Sequence, residues 1–207
     1  MCEHRDVTDA ETSGQPRHDT AARILDAALV GFAERGVEAT SLDSLAVEIG
    51  VRKQTILYWF PSKDLLLAAV IDHAVAALGD EIGGAVREES GSVERRVAAA
   101  IDTIFRVGRT RPELLALLRE VVRVGPHALD HLGAALAPLF DVAVSGVATR
   151  SGVDEERTRR ALVEAGASVV GLATEAEVRN ALGVPPDLAW LRRRRNALIA
   201  EVSTALA

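Results

Sequence analysis

An all-α chain is predicted: a three-helix helix-turn-helix unit at the N-terminus, then a larger helical bundle, about nine helices in all. Two observations carry this. Hydrophobic residues make up 48% of the 207 positions but aromatic residues only 3%, so the core must be built from Ala, Leu and Val, which favours helices. Apolar residues also recur at three- and four-residue spacing, broken by Gly, Pro and Ser-Gly signals, and no strand-like alternation persists.

The first helix starts near Thr20, with Asp19 or Thr20 as N-cap, and carries Ile24, Leu25, Ala28, Leu29 and Phe32 on one side. Gly36 stops it. Thr40-Ser41 caps a short second helix with Leu42, Leu45, Ala46 and Ile49 inward, ended by Gly50. A third runs from Arg52 to Trp59, and Pro61 cannot continue it. Ser62 caps a fourth, which finishes near Glu89. Val93–Gly108 is a fifth, Glu113–Val124 a sixth opened by Pro112, and His127–Arg150 a seventh with a kink expected at Pro138. Asp154–Leu182 is a long eighth and Asp187–Leu206 a ninth. The expected organisation is a disordered tail over 1–17, a helix-turn-helix domain over 18–78 with its motif at 41–60, and a larger helical domain over 79–207.

Composition excludes some classes. A lone cysteine, Cys2, forms no internal disulfide. The N-terminus is polar and lacks an apolar signal segment, and no apolar run is read as long and charge-free enough to span a membrane, so a cytoplasmic protein without membrane partners is expected. The net charge of −6 argues mildly against a nucleic-acid partner. Its distribution argues otherwise, because both lysines of the chain, Lys53 and Lys63, fall in one short segment.

That segment is Gly50-Val-Arg-Lys-Gln-Thr-Ile-Leu-Tyr-Trp-Phe60-Pro-Ser-Lys-Asp-Leu-Leu. Two helices joined by a short Gly-containing turn match a helix-turn-helix. Ile56 and Phe60, four apart, can lock the second helix onto Leu45 and Ile49. Arg52, Lys53, Gln54 and Thr55 crowd its start, where Arg and Lys suit guanine edges and Gln suits adenine. Tyr58, Trp59 and Lys63 lie further on, suited to the sugar-phosphate backbone.

These residues resemble the TetR family of bacterial regulators. The resemblance rests on Ala39-Thr40-Ser41 with Leu45-Ala46, then Gly50-Val51, Lys53, Thr55 and Phe60-Pro61-Ser62-Lys63-Asp64-Leu65-Leu66, preceded by Arg23-Ile24-Leu25-Asp26-Ala27-Ala28 through Phe32-Ala33-Glu34-Arg35-Gly36. It covers roughly residues 18–78; beyond them only length and helical layout agree. Arg52 stands where the family commonly has Ser, Gln54 where it has a small residue or Pro, and Leu57-Tyr58-Trp59 where Tyr-His-Tyr is frequent. Leu57 can touch only a thymine methyl. The resemblance implies a transcriptional regulator that is no enzyme, a ligand-released repressor acting as a homodimer on a palindromic double-stranded operator. Its DNA contacts would be Thr40, Ser41, Arg52, Lys53, Gln54, Thr55, Leu57, Tyr58, Trp59 and Lys63.

In the larger bundle, small residues on the eighth helix form a stripe, Ala161, Ala165, Ser168 and Leu172, that permits close helix approach. With Leu191 and Leu198 of the ninth they are the expected dimer interface, since the resembled family dimerises through these helices. An aliphatic cavity for an unidentified apolar or amphipathic effector is expected around Asp102, Phe105, Leu117, Glu120, Val121, His127 and Phe140. The arginine run Arg192 to Arg195 is expected to pair across the dimer or to face water. His127 and His131 have metal-compatible spacing but no second ligand pair, so no metal is expected, and no cofactor motif or enzyme signature is present. A helical enzyme or carrier, and an architectural DNA binder with a filled core, stay open as alternatives.

Overall fold

The computed structural model describes residues 15–206. The described residues form α1 (Gln15–Arg35), α2 (Leu42–Ile49), α3 (Lys53–Trp59), α4 (Lys63–Glu88), α5 (Val93–Thr110), α6 (Pro112–Val124), α7 (Pro126–Ser151), α8 (Glu155–Ala181) and α9 (Leu188–Ala205). Contacts divide the chain into two compact units, one ending at Val70 and the other beginning at Ile71, within α4. The boundary expected at 78–79 falls further along the same helix.

The caps expected at Ser41 and Ser62 form, and Asp154 and Asp187 cap two further helices. Ser41 accepts from the Ser44 amide at 3.0 Å, Ser62 from Leu65 at 3.1 Å, Asp154 from Arg157 at 3.1 Å and Asp187 from Trp190 at 2.6 Å. The start of α1 differs from the expectation. It begins at Gln15, not at Asp19 or Thr20, and Pro16 is tolerated in the first turn, where a missing N–H leaves no bond unmade. Of the expected tail, 1–14 lie outside the described residues and 15–17 are helical.

The first unit buries Ile24, Ala28, Leu29 and Phe32 from α1, Leu45 and Ala46 from α2, Ile56 from α3, and Leu66, Leu67 and Val70 from α4. In the second unit α9 packs on α5 and α8, and α7 packs on α6 and α8. One cluster there joins Val97 and Ile101 of α5, Ala161 of α8, and Leu198, Val202 and Leu206 at the C-terminal end. Pro138 lies inside α7.

The expectation about membrane-length apolar runs needs correcting at α7. Its 26 residues, with a mean hydropathy of 1.6 over the most apolar stretch, are long and apolar enough to cross a membrane by length and composition. The cause is the uncharged Ala- and Leu-rich stretch between Asp130 and Asp141. Polar groups nonetheless hold the helix to its neighbours: His131 Nε2 lies 2.9 Å from Asp72 of α4, and Asp141 accepts from Arg159 of α8 at 2.8 Å.

Candidate nucleic-acid interface

The geometry begins with the turn that separates α2 from α3. Gly50 takes φ 69°, ψ 36°, a left-handed conformation that a Cβ disfavours. Its amide donates to the Val47 carbonyl at 3.2 Å and that of Val51 to Ala46 at 2.9 Å, the paired bonds of a Schellman stop. The chain leaves through Arg52, extended at φ −84°, ψ 147°, and enters α3.

Helix α3 is anchored by Ile56, which has no exposed surface. At about 100° per residue, Gln54 and Tyr58 lie opposite Ile56, one turn apart. Gln54 and Arg52 are exposed, and Tyr58 is 73% exposed. The side chain of Arg52 makes no capping bond. Thr55, Leu57 and Trp59 are half-buried at the flanks, and the Tyr58 and Trp59 rings meet edge to face with centroids 5.6 Å apart.

Three other candidates are already engaged within the protein. Lys53 Nζ donates to Asp43 Oδ2 of α2 at 2.7 Å. Lys63 Nζ donates to the Glu38 carbonyl at 3.1 Å. Ser41 is exposed but spends its hydroxyl oxygen as the α2 cap.

Thr40 must be removed from the DNA-contact set. It has no exposed surface, and its hydroxyl lies 2.9 Å from the Gly31 carbonyl and 2.8 Å from that of Gly36. It fastens the loop before α2 onto α1 and cannot reach a nucleic acid. Residues that sequence reading missed complete this frame. Arg23 donates to the Ile49 carbonyl at 2.8 Å, Arg35 pairs with Glu48 at 3.4 Å, and Asp43 holds Lys53. No local spacing rule flags partners 26, 13 and 10 positions apart.

Two of the polar residues expected at an effector cavity are paired within the chain. Asp102 is occupied by a two-pronged bond from Arg195. Glu120 accepts from Arg123 at 2.8 and 2.7 Å, and His127 is exposed at the start of α7. Leu117 and Val121 are buried, Phe105 packs against the α5–α8–α9 cluster, and Phe140 reaches α8 beside Gly166. An open groove of about 360 Å³ lies elsewhere, between α8 and α9, lined among others by Ser168, Gly171, Leu172, Ala197 and Leu198.

The expected dimer residues divide. Ala161 and Leu198 are buried in the chain's own core, and Ala165 packs against it. Ser168 and Leu172 border the groove, and Leu191 is half-buried. The arginine run likewise finds partners inside the chain: Arg195 takes Asp102, and Arg194 takes Glu175 while its guanidinium lies 5.9 Å from the centre of the Trp190 ring. Those two arginines are therefore not reserved for a partner subunit.

A short Gly-stopped helix followed by an anchored helix with a polar outer face defines a helix-turn-helix DNA-binding protein. Residues 24–70 match the family model described as bacterial regulatory proteins, tetR family. A helix-turn-helix-type transcriptional repressor of Mycobacterium tuberculosis is 31% identical over 142 residues, covering 64% of this chain and 73% of that one. Among solved structures, the fatty acid degradation regulator FadR from Bacillus halodurans superimposes with a TM-score of 0.72 at 16% identity, over 86% of this chain and 97% of that one. FadR from Bacillus subtilis, in complex with stearoyl-CoA, gives 0.73 at 15% identity, over 89% and 98%. The chain belongs to the TetR family of transcriptional regulators.

Proposed function

We propose that the protein is a cytoplasmic repressor that binds a palindromic operator as a homodimer and is released by a small-molecule effector. The observation that carries the DNA-reading part is the division of α3 into one buried anchor, Ile56, and an opposite face of Gln54 and Tyr58 beside exposed Arg52. Gln54 is suited to the adenine edge and Arg52 to guanine or phosphate. Tyr58, Trp59 and Lys63 follow along the backbone, and Ser41, Thr55 and Leu57 lie at the margins of the same surface.

Dimerisation through α8 and α9 supplies the second reading head, with the two α3 helices about 34 Å apart on successive turns of the duplex. The groove along Gly171 and Ala197, whose small side chains let another helix approach, supports this reading. The repressor role is supported by the Mycobacterium tuberculosis relative, which bears that name. An amphipathic effector fits an aliphatic second unit poor in aromatic walls, and the Bacillus subtilis neighbour holds stearoyl-CoA. The effector acts by favouring a state whose heads are wrongly spaced, with a coupling of about 1–3 kcal/mol per site.

The test is selection from a pool of random duplexes with the purified protein, then titration of the enriched sequence. A palindrome with half-sites one helical turn apart is expected. Enrichment of no sequence, or of an unrepeated one, overturns the dimeric-operator reading.

A further inference from the structure

We propose that Asp43 is an affinity-setting residue of the DNA interface: it holds the Lys53 ammonium on the protein and thereby removes one phosphate contact from every complex. This rests on the reading of α3 as the DNA-facing helix. Lys53 opens α3, and its Nζ lies 2.7 Å from Asp43 Oδ2 in the first turn of α2. Around α3, Lys53 lies about 60° from Ile56, on the inner flank, whereas Gln54 points away from the anchor. Lys53 thus leans back to α2 while its neighbour faces outward.

Both members of the pair remain accessible, with 41% of the Lys53 side chain and 68% of the Asp43 side chain exposed. Such a pair is a weak structural element. Its consequence lies in electrostatics. Affinity for DNA grows with each phosphate neutralised by a lysine or arginine, through release of condensed counterions. A lysine that must first leave a carboxylate gains less from a phosphate, and the abandoned carboxylate then faces a polyanion. The chain has only two lysines, so the restraint acts on half of its lysine charge. Because phosphates are the same in every sequence, Asp43 weakens operator and random DNA by the same factor.

The test titrates the full chain and the variants D43N, K53Q, D43N/K53Q and R52Q with a fluorescently labelled mixed-sequence duplex between about 50 and 200 mM salt. D43N is expected to bind about three- to tenfold more tightly and to steepen the slope of log K against log salt by about one unit per bound protomer. K53Q in the D43N background is expected to cancel that gain, so the two changes are not additive. An unchanged or weaker D43N overturns the proposal. So does an equal gain in the K53Q background, which would make Asp43 a repelling charge acting without Lys53. R52Q tests the underlying reading separately. If it weakens binding while D43N does nothing, the α3 reading stands and the Asp43 proposal falls; if R52Q and D43N both leave binding unchanged, both fall.

Discussion

Arg195 grips Asp102 with two parallel N–H···O bonds, the Nη2–Oδ2 bond 2.7 Å long, and so ties α9 to α5 across 93 positions of sequence. The hydrogen bond to Asp102 raises the Arg195 pKa above its already high ordinary value, against a smaller opposing effect of burial. The sign makes this contribution present throughout the ordinary pH range and lost only as pH climbs through the arginine range. One pair thus joins a carboxylate expected to meet an effector and an arginine expected to meet a partner subunit or water.

The pair is partly exposed, 36% at Arg195 and 44% at Asp102, so its worth is modest despite its geometry. A double-mutant cycle of Asp102→Ala and Arg195→Ala, read by urea denaturation, is expected to give a coupling of about 0.5–1 kcal/mol. Effector-induced thermal stabilisation should survive Asp102→Asn. Loss of that stabilisation with the fold intact would return Asp102 to the effector site.

Thr40→Val tests the structural role assigned to that hydroxyl. Valine keeps the shape but offers nothing to the Gly31 and Gly36 carbonyls. A loss of about 1–2 kcal/mol in the stability of the first unit is expected, with DNA affinity unchanged well below the melting temperature. A fall in affinity without a fall in melting temperature would place Thr40 back among the DNA contacts.

The residues legible in sequence were those whose roles are local. Ser41 and Ser62 are caps read from their own neighbourhoods, and Gly50 is a stop read from the periodicity it ends. Ile56 as the α3 anchor follows from the same rule. What could not be read was any role decided by a distant partner. Thr40 resembles a surface cap until α1 is folded against it. Ala161 and Leu198 belong to a small-residue pattern that serves a dimer face and an internal core equally, and only packing on α5 decides between them. The start of α1 differs for another reason: Asp19 and Thr20 have the chemistry of an N-cap, yet Pro16 is tolerated in a first turn and the helix runs from Gln15.

That ambiguity sets the test of the dimer. Gly171 is exposed, and a Cβ added there would meet nothing within 4 Å, so Gly171→Arg should leave the folded protomer intact. On the groove face it should block approach of a second α8–α9 pair. Analytical ultracentrifugation at micromolar concentration is expected to show a dimer for the parent chain and a monomer for the variant, with equal helicity by circular dichroism. Ala161→Arg is a poor probe, because it would unfold the chain's own core. A parent chain that sediments as a monomer, or a Gly171→Arg variant that remains dimeric, moves the interface off this groove.

The last prediction separates phosphate contact from base reading along the α3 surface. Lys63 begins α4, and its ammonium is held at the Glu38 carbonyl, 3.1 Å away, rather than on the α3 face that bears Gln54. A neutral carbonyl restrains a lysine less than a carboxylate does, so Lys63 can turn to a phosphate at small cost. Lys63→Ala should weaken operator and random duplexes alike and flatten the salt slope by about one unit per protomer. Gln54 carries no charge and lies opposite the buried anchor, where the groove floor would be met. Gln54→Ala should cost about 1–3 kcal/mol on the selected operator, little on random DNA, and leave the salt slope unchanged. Fluorescence anisotropy across a salt series reads both. If Lys63→Ala alters base preference while Gln54→Ala alters only the slope, α3 is docked the other way round. If neither variant changes binding, the DNA surface lies away from α3 and the helix serves only to pack the first unit.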